Sequence, residues 1–339
     1  MRIPITRGEP SEQAPAKERP EAAQPRPDSA EVAPDGQTVA AAPGPGRPSA
    51  PRFPAALVIG PEPRLTSAPR GLAEPSPAVP DTVLDGADLP GLGIRGASIR
   101  GDDHRYLGQT RQDSMGIWSL ADGQARAYLV CAGDGVGSES LSHFGSEQAC
   151  TLLREEAERK LPALLTTDMD HGLAKICQNM AERVAARLTD YGRNLRIAPK
   201  SLSTTLVGAV IEAEPSSAAG RACVVFAVGD SAAFRLRDGA FAKLLDDPHD
   251  GVIASMRTSA LPTSPGTVAA CRTLLRPGDM LLVCTDGLSN PMRNGAVTGQ
   301  LARWWGSGSI PGLPEFGWQL SFRAKSYGDD RTAVCVWGV

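Results

Sequence analysis

The chain reads as an α+β protein made of layered antiparallel strands and paired helices, and three observations carry that reading. Strand-like apolar runs fall in two blocks, one before and one after a pair of long helical stretches. Within each block the runs are joined by short turns rich in Gly, Asp and Pro. The strands do not alternate singly with helices, as they would in a wound parallel sheet.

Residues 1–92 stand apart. Nineteen of the 29 prolines lie in residues 1–90, where cysteine is absent and large apolar side chains are sparse. Such a stretch cannot bury enough apolar area to offset the entropy of ordering it. It is expected to be a disordered Pro/Ala-rich segment, with the folded domain at 93–339. Charge excludes several partners: 9 Lys+Arg face 12 Asp+Glu over residues 1–92, and 26 face 26 over the rest. Neither part offers the basic surface that DNA, RNA or an anionic membrane selects. All seven cysteines fall beyond residue 93, without a C-x-x-C, mostly inside apolar runs, and read as reduced core residues. No apolar stretch approaches the ~20 residues of a membrane span, so the protein is expected to be cytoplasmic.

The elements follow in order. Residues 93–113 form a Gly-, Ser- and Arg-rich lead-in. S-M-G-I-W-S-L and A-R-A-Y-L-V-C-A-G are two strands joined by the turn A-D-G-Q. A helix then covers about 142–161, and Leu173, Ile176, Cys177, Met180, Val184 and Leu188 recur at the spacing of a second, amphipathic helix. Strands alone come next: T-T-L-V-G-A-V-I, A-C-V-V-F-A-V-G-D and A-A-F-R-L-R-D-G-A-F-A-K-L, the last folded over Asp238-Gly239. R-T-L-L-R-P-G-D-M-L-L-V-C-T-D-G reads as a strand pair around a Pro-Gly-Asp turn. Helices around 300–305 and 314–325 precede the closing strand T-A-V-C-V-W.

Four aspartates sit in short turn-like settings on this framework: Asp113 in R-Q-D-S, Asp134 in C-A-G-D-G-V-G-S, Asp286 in V-C-T-D-G-L-S and Asp329 in Y-G-D-D-R-T. Strand ends let a rigid scaffold converge carboxylates from distant sequence. The Asp113 and Asp134 ends of the first hairpin should lie side by side. Carboxylates gathered without a counter-charge repel, and a hard cation among them relieves this. A carboxylate-bound Mg²⁺ or Mn²⁺ site that performs hydrolysis is the expectation.

In their order these motifs resemble the metal-dependent protein phosphatases of the protein phosphatase 2C type, over about residues 98–339. Gln112-Asp113 matches the opening motif, and the G-x-x-H ending at His104 matches a bacterial branch. Asp134-Gly135-Val136-Gly137, Thr204-Thr205-Leu206, Gly229-Asp230-Ser231, Asp286-Gly287-Leu288 and Asp329-Asp330-Arg331-Thr332 match the rest. The resemblance implies a four-layer α-β-β-α sandwich, two antiparallel sheets flanked by helices. It implies a serine/threonine protein phosphatase that uses a hydroxide bridging two divalent ions. Asp134 would bridge the ions, the Gly135 carbonyl would bind one, and Asp286 and Asp329 the other. Asp113 would act at or just behind them through a water, and Asp230 is a candidate outer ligand near a looser third ion. Phosphorylated proteins would be the substrates, with a Ser/Thr kinase or its substrates as partners.

Departures from the family pattern define the open points. Asp330 stands where Asn is usual, and would either tighten metal binding or point into solvent. Gly108 occupies the place of the family's phosphate-holding Arg, which leaves Arg105 and Arg111 as candidates to grip the phosphate. His104 is either a general acid for the leaving oxygen or a loop histidine bonded to backbone. The remaining histidines, His143, His171 and His249, read as structural or exposed. The competing function is a pseudophosphatase that binds a phosphoprotein or kinase without catalysis.

Overall fold

The computed structural model describes residues 54–64, 79–167, 170–245, 259–263 and 265–339, all within one unit, Pro54–Val339. A two-residue strand, β1 (Val58–Ile59), is followed by a hairpin of β2 (Thr82–Leu89) and β3 (Leu92–Ile99). A short helix, α1 (Asp102–Leu107), leads into the expected hairpin of β4 (Ser114–Asp122) and β5 (Ala125–Gly133). Three helices come next, α2 (Ser142–Arg159), α3 (Leu161–Thr166) and α4 (Asp170–Asn194). Then come β6 (Leu206–Glu212), β7 (Arg221–Val228), β8 (Ala232–Arg237) and β9 (Ala240–Lys243). Asp238 and Gly239 join the last two, with φ of 52° and 74°, the paired left-handed turn that an Asp-Gly dipeptide favours. Beyond them lie β10 (Ala269–Leu275), β11 (Met280–Cys284), α5 (Asp286–Ser289), α6 (Gly295–Trp305), α7 (Leu313–Leu320), β12 (Arg323–Ala324) and β13 (Arg331–Gly338).

Two antiparallel sheets result, one of five strands in the order β10-β7-β6-β5-β4 and one of six in the order β2-β3-β13-β11-β8-β9. Successive side chains on each strand enter different cores, because strand side chains alternate faces. Leu129 and Cys131 pack under α2, α3 and α4, whereas Val130 and Ala132 fill the space between the sheets. Likewise Leu282 and Cys284 pack under α6 and α7, and Leu281 and Val283 face the other sheet. The architecture is therefore the four-layer α-β-β-α sandwich. Each fully buried Leu or Val contributes roughly 2 kcal/mol. The α4 stripe lies as its spacing predicts, with Leu173, Cys177, Met180, Val184 and Leu188 in the core and Ile176 partly buried against it. All seven cysteines are free; six are buried and Cys271 half-buried. Among the described residues no helix is long and apolar enough to cross a membrane.

Four expectations need correction. The domain does not begin at 93: β2 pairs along its whole length with β3, and β1 pairs in parallel with β12. A cut at 93 would divide a hairpin. The lead-in at 93–113 contains β3, an inner strand whose eight residues are all buried. Its two glycines, Arg95 and Ser98 dilute the apolar pattern. The buried Arg95 guanidinium is satisfied by the Pro311 carbonyl at 2.7 Å and the Asp88 carboxylate at 2.8 Å. β10 and β11 are not a paired hairpin, because β10 joins β7 and β11 lies between β13 and β8 in the other sheet. The turn at 276–279 steps between the layers. Finally, α7 ends at Leu320, since the Arg323 N–H already bonds to the Leu57 carbonyl at 2.7 Å in the β1 pairing. Residues 1–53 and 65–78 of the expected disordered segment, and His249, lie outside the described residues.

Candidate functional site

Strand pairing gathers the expected site residues at one edge of the sandwich. Ser114 pairs with Gly133, so Asp113 before β4 and Asp134 after β5 stand side by side. Cys284 pairs with Ala333 on one flank and Ala232 on the other, which sets Asp286 beside the loops carrying Asp329 and Asp230. Arg331 pairs with Ile99, so α1 and His104 emerge at the same edge. Stacking of the sheets completes the convergence: the Asp134 carboxyl lies within electrostatic reach of Asp113, Asp286, Asp329 and Asp230.

The carboxyls of the cluster raise one another's pKa. Burial pushes Asp113 well above the usual carboxylate range, and Asp330 and Asp329 push it further. Asp134 is raised in the same way, by burial first and then by its four acidic neighbours. Asp286 is pushed up to about 6 by burial, Asp230 and Asp329. Burial and Asp330 raise Asp329, although it is exposed at the rim. Asp286 Oδ2 accepts from Asn290 Nδ2 at 3.0 Å, but among the described residues its buried Oδ1 has no hydrogen-bond partner. An orphaned buried oxygen within mutually repelling hard donors fits a hard divalent cation.

Neighbouring motifs fix the backbone of these aspartates. The Asp134 carbonyl accepts from Thr205 N at 2.8 Å and Thr204 Oγ1 at 2.9 Å. Asp134 N donates to Thr205 Oγ1 at 3.2 Å, and that hydroxyl pairs with Ser231 Oγ at 2.7 Å. The Thr204-Thr205 and Gly229-Asp230-Ser231 motifs thus brace Asp134. Gly135 is required by close approach, since a Cβ there would lie 2.7 Å from the Gln112 carbonyl. At Gly287 a Cβ would sit 1.8 Å from the Asp330 carbonyl oxygen, which forbids any side chain after Asp286. Asp113 is 2 % exposed, and its Oδ2 accepts from Thr285 Oγ1 at 2.8 Å.

Asp330 does not face solvent; it is 2 % exposed. Its Oδ1 accepts from Gly101 N at 2.7 Å and its Oδ2 from Gln112 N at 2.5 Å. His104 Nδ1 lies 2.8 Å from Asp330 Oδ1 as an ion-pair contact and, among the described residues, makes no hydrogen bond of good geometry. Burial works against the His104 imidazolium, yet the Asp330, Asp329 and Asp113 carboxylates outweigh it and raise its pKa. Ligand-type atoms of His104, Asp329 and Asp330 lie within 4.8 Å of one another. The sequence carried no sign that Asp330 serves two backbone amides, because the donors lie more than two hundred residues away.

Both candidate phosphate arginines are engaged elsewhere. Arg105 donates to Asp81, with Nη2 at 2.6 Å from Oδ1 and Nε at 3.3 Å from Oδ2. Arg111 is buried and donates to the Pro80 carbonyl at 3.1 Å, to Ser98 Oγ at 2.7 Å and to the Asp113 carbonyl. A cavity of about 300 Å³ opens beside Asp329, lined in part by Arg100, Arg105, Arg323 and Tyr327. His143 is half-buried on α2, where burial lowers its pKa, and His171 is exposed.

Comparison with known proteins agrees with this geometry. A family model described as protein phosphatase 2C matches residues 100–309, a span that includes Asp113, Asp134, Asp230 and Asp286 and stops short of Asp329. No curated protein matches the chain. Among solved structures, the serine/threonine phosphatase of S. agalactiae is 18% identical, with 73% of this chain and 100% of that one covered and a TM-score of 0.51. A bacterial serine phosphatase is 17% identical, with 73% and 97% covered and a TM-score of 0.50. These two likenesses show the fold. The Mycobacterium tuberculosis phosphatase PstP is 20% identical, with 72% and 97% covered and a TM-score of 0.46.

Proposed function

The chain belongs to the protein phosphatase 2C family of serine/threonine phosphatases, and on that premise we propose that it hydrolyses phosphoserine and phosphothreonine in proteins by a two-ion, metal-dependent mechanism. The observation that carries the reading is the convergence on Asp134 of four further carboxylates, with a buried Asp286 oxygen left unpartnered.

The residues divide the work by position. Asp134, the Gly135 carbonyl, Asp286 and Asp329 would hold two Mn²⁺ or Mg²⁺ ions. Asp113, held by Thr285, would act just behind them, and the exposed Asp230 would be an outer ligand for a third ion. When bound, the ions supply a water acid enough to attack phosphorus near neutral pH and positive charge for the phosphoryl oxygens. His104 gives a proton to the departing serine or threonine oxygen. Substrate residues flanking the phosphate enter the cavity beside Asp329. The substrates are phosphoproteins made by a Ser/Thr kinase, the kinase itself among them. Seven free cysteines suit a reducing compartment, the cytoplasm.

One observation favours a second reading. With Arg105 on Asp81 and Arg111 on backbone carbonyls, neither guanidinium is held ready for phosphate, as a non-catalytic phosphoprotein-binding module would allow. The deciding experiment uses the full chain, with phosphothreonine peptide and p-nitrophenyl phosphate, in Mn²⁺, Mg²⁺ or EDTA, beside Asp286→Ala. The expected result is metal-dependent turnover that EDTA and the substitution both abolish. Metal binding without turnover would overturn the enzyme reading in favour of the binding module.

A further inference from the structure

Resting on the phosphatase reading, we propose that Asp330 is a positioning residue for His104 and not a metal ligand. Both of its oxygens already face nitrogen donors. Oδ1 accepts from Gly101 N at 2.7 Å and lies 2.8 Å from His104 Nδ1, and Oδ2 accepts from Gln112 N at 2.5 Å. A carboxylate accepts at both oxygens, whereas an amide presents one acceptor and one NH₂ donor. The asparagine usual at this place in the family would turn its NH₂ against either the Gln112 N–H or the Gly101 N–H. This chain's Gly101 and Gln112 amides together therefore select an aspartate.

The three contacts tie together three pieces of the site. Gly101 is the residue before α1, on which His104 sits, Gln112 precedes Asp113, and Asp330 itself follows Asp329. His104 Nδ1 is buried, and the Asp330 carboxylate stands 2.8 Å from it. A proton held on Nδ1 by Asp330 leaves Nε2 as the nitrogen free to serve the reaction, the usual way a carboxylate fixes the tautomer of a working histidine. In the reaction the oxygen of water bonds to phosphorus as the ester phosphorus–oxygen bond breaks, and the electron pair of the broken bond goes to the serine or threonine oxygen. That oxygen takes the Nε2 proton, and the imidazole is left neutral with its Nδ1–H toward Asp330.

Leaving-group dependence tests the idea. Departure of p-nitrophenolate needs little help from an acid, whereas departure of a threonine alkoxide needs a proton. Asp330→Asn should therefore lower kcat on a phosphothreonine peptide at least about tenfold more than on p-nitrophenyl phosphate. His104→Gln should show the same bias, and the double variant should add no further bias. Calorimetric Mn²⁺ affinity and stoichiometry of Asp330→Asn should match wild type. Equal losses on the two substrates, or a lost Mn²⁺ equivalent, would overturn the proposal while leaving the phosphatase reading intact. A wild-type chain inactive on both substrates would instead sink the phosphatase reading. One measurement needs no variant: nitrogen-15 NMR of the Mg²⁺-loaded wild type should show neutral His104 as the Nδ1–H tautomer. An Nε2–H tautomer would overturn the proposal by itself.

Discussion

Strand β11 is flanked by two aspartates, Asp279 before it and Asp286 after it, and the chain treats them in opposite ways. Asp279 is 3 % exposed and receives Arg237 on both oxygens, at 2.6 and 2.5 Å, together with Arg276 N at 2.9 Å. Burial alone would raise its pKa, but Arg237 and the Arg276 amide hold it below the usual value. Asp286, at the other end of the same five-residue strand, is raised to about 6 by burial, Asp230 and Asp329. Where an aspartate serves the fold, this chain supplies the cation. Around Asp286 its charged neighbours are further carboxylates, the setting for which a cation from solution is proposed above.

The largest test of that contrast is activity. Asp134→Asn should cost on the order of 100-fold or more in turnover and most of the Mn²⁺-induced rise in thermal midpoint, while Asp279→Asn keeps the Mn²⁺ response. Equal loss of that response in both variants would erase the distinction. Smaller effects follow in the metal-free protein, and their signs should be opposite. Asp279→Asn is expected to destabilise by about 1 kcal/mol, from a weakened buried acceptor. Asp286→Asn is expected to stabilise by about 1 kcal/mol, because a repelled charge is removed. Destabilisation by Asp286→Asn in EDTA would mean that its charge is compensated within the fold.

The smallest effect is in pH. A carboxyl raised by folding binds its proton more tightly in the native state, so the stability it contributes is full below the unfolded value of 3.8. It is lost as pH rises through about 6. Metal-free wild type should therefore fall in thermal midpoint between pH 3.8 and about 6 by more than Asp286→Asn does. For Asp279 the sign reverses, its contribution being lost as pH falls through its lowered value. Parallel midpoint curves for wild type and Asp286→Asn would remove Asp286 from the account.

Much of this was legible in the sequence, for physical reasons particular to each element. The β4–β5 hairpin announced itself through alternation and an Ala-Asp-Gly-Gln turn, and with it the pairing of Asp113 and Asp134. The Asp238-Gly239 hairpin and the α4 stripe were equally plain. What escaped was structure whose cause lies far away in the chain. β3 is rich in glycine and polar residues because neighbouring strands and α7 pack closely on it, so its own pattern does not read as a strand. The turn at 276–279 looks like a hairpin, and only pairing with β7 and β13 reveals the change of layer. Asp330 looked like a spare carboxylate until the Gly101 and Gln112 amides were seen to meet it.

The span of the carboxylates, from Asp113 to Asp329, also governs when the site can come into being. Asp329 gains its place beside Asp286 only when β13 inserts between β3 and β11, and β13 carries the last strand residues of the sequence. Contacts so distant in sequence form late, because the loops they close must first be ordered. During synthesis β13 is still within the ribosome when the first hairpin has long emerged. The carboxylate cluster is therefore among the last features of this domain to assemble.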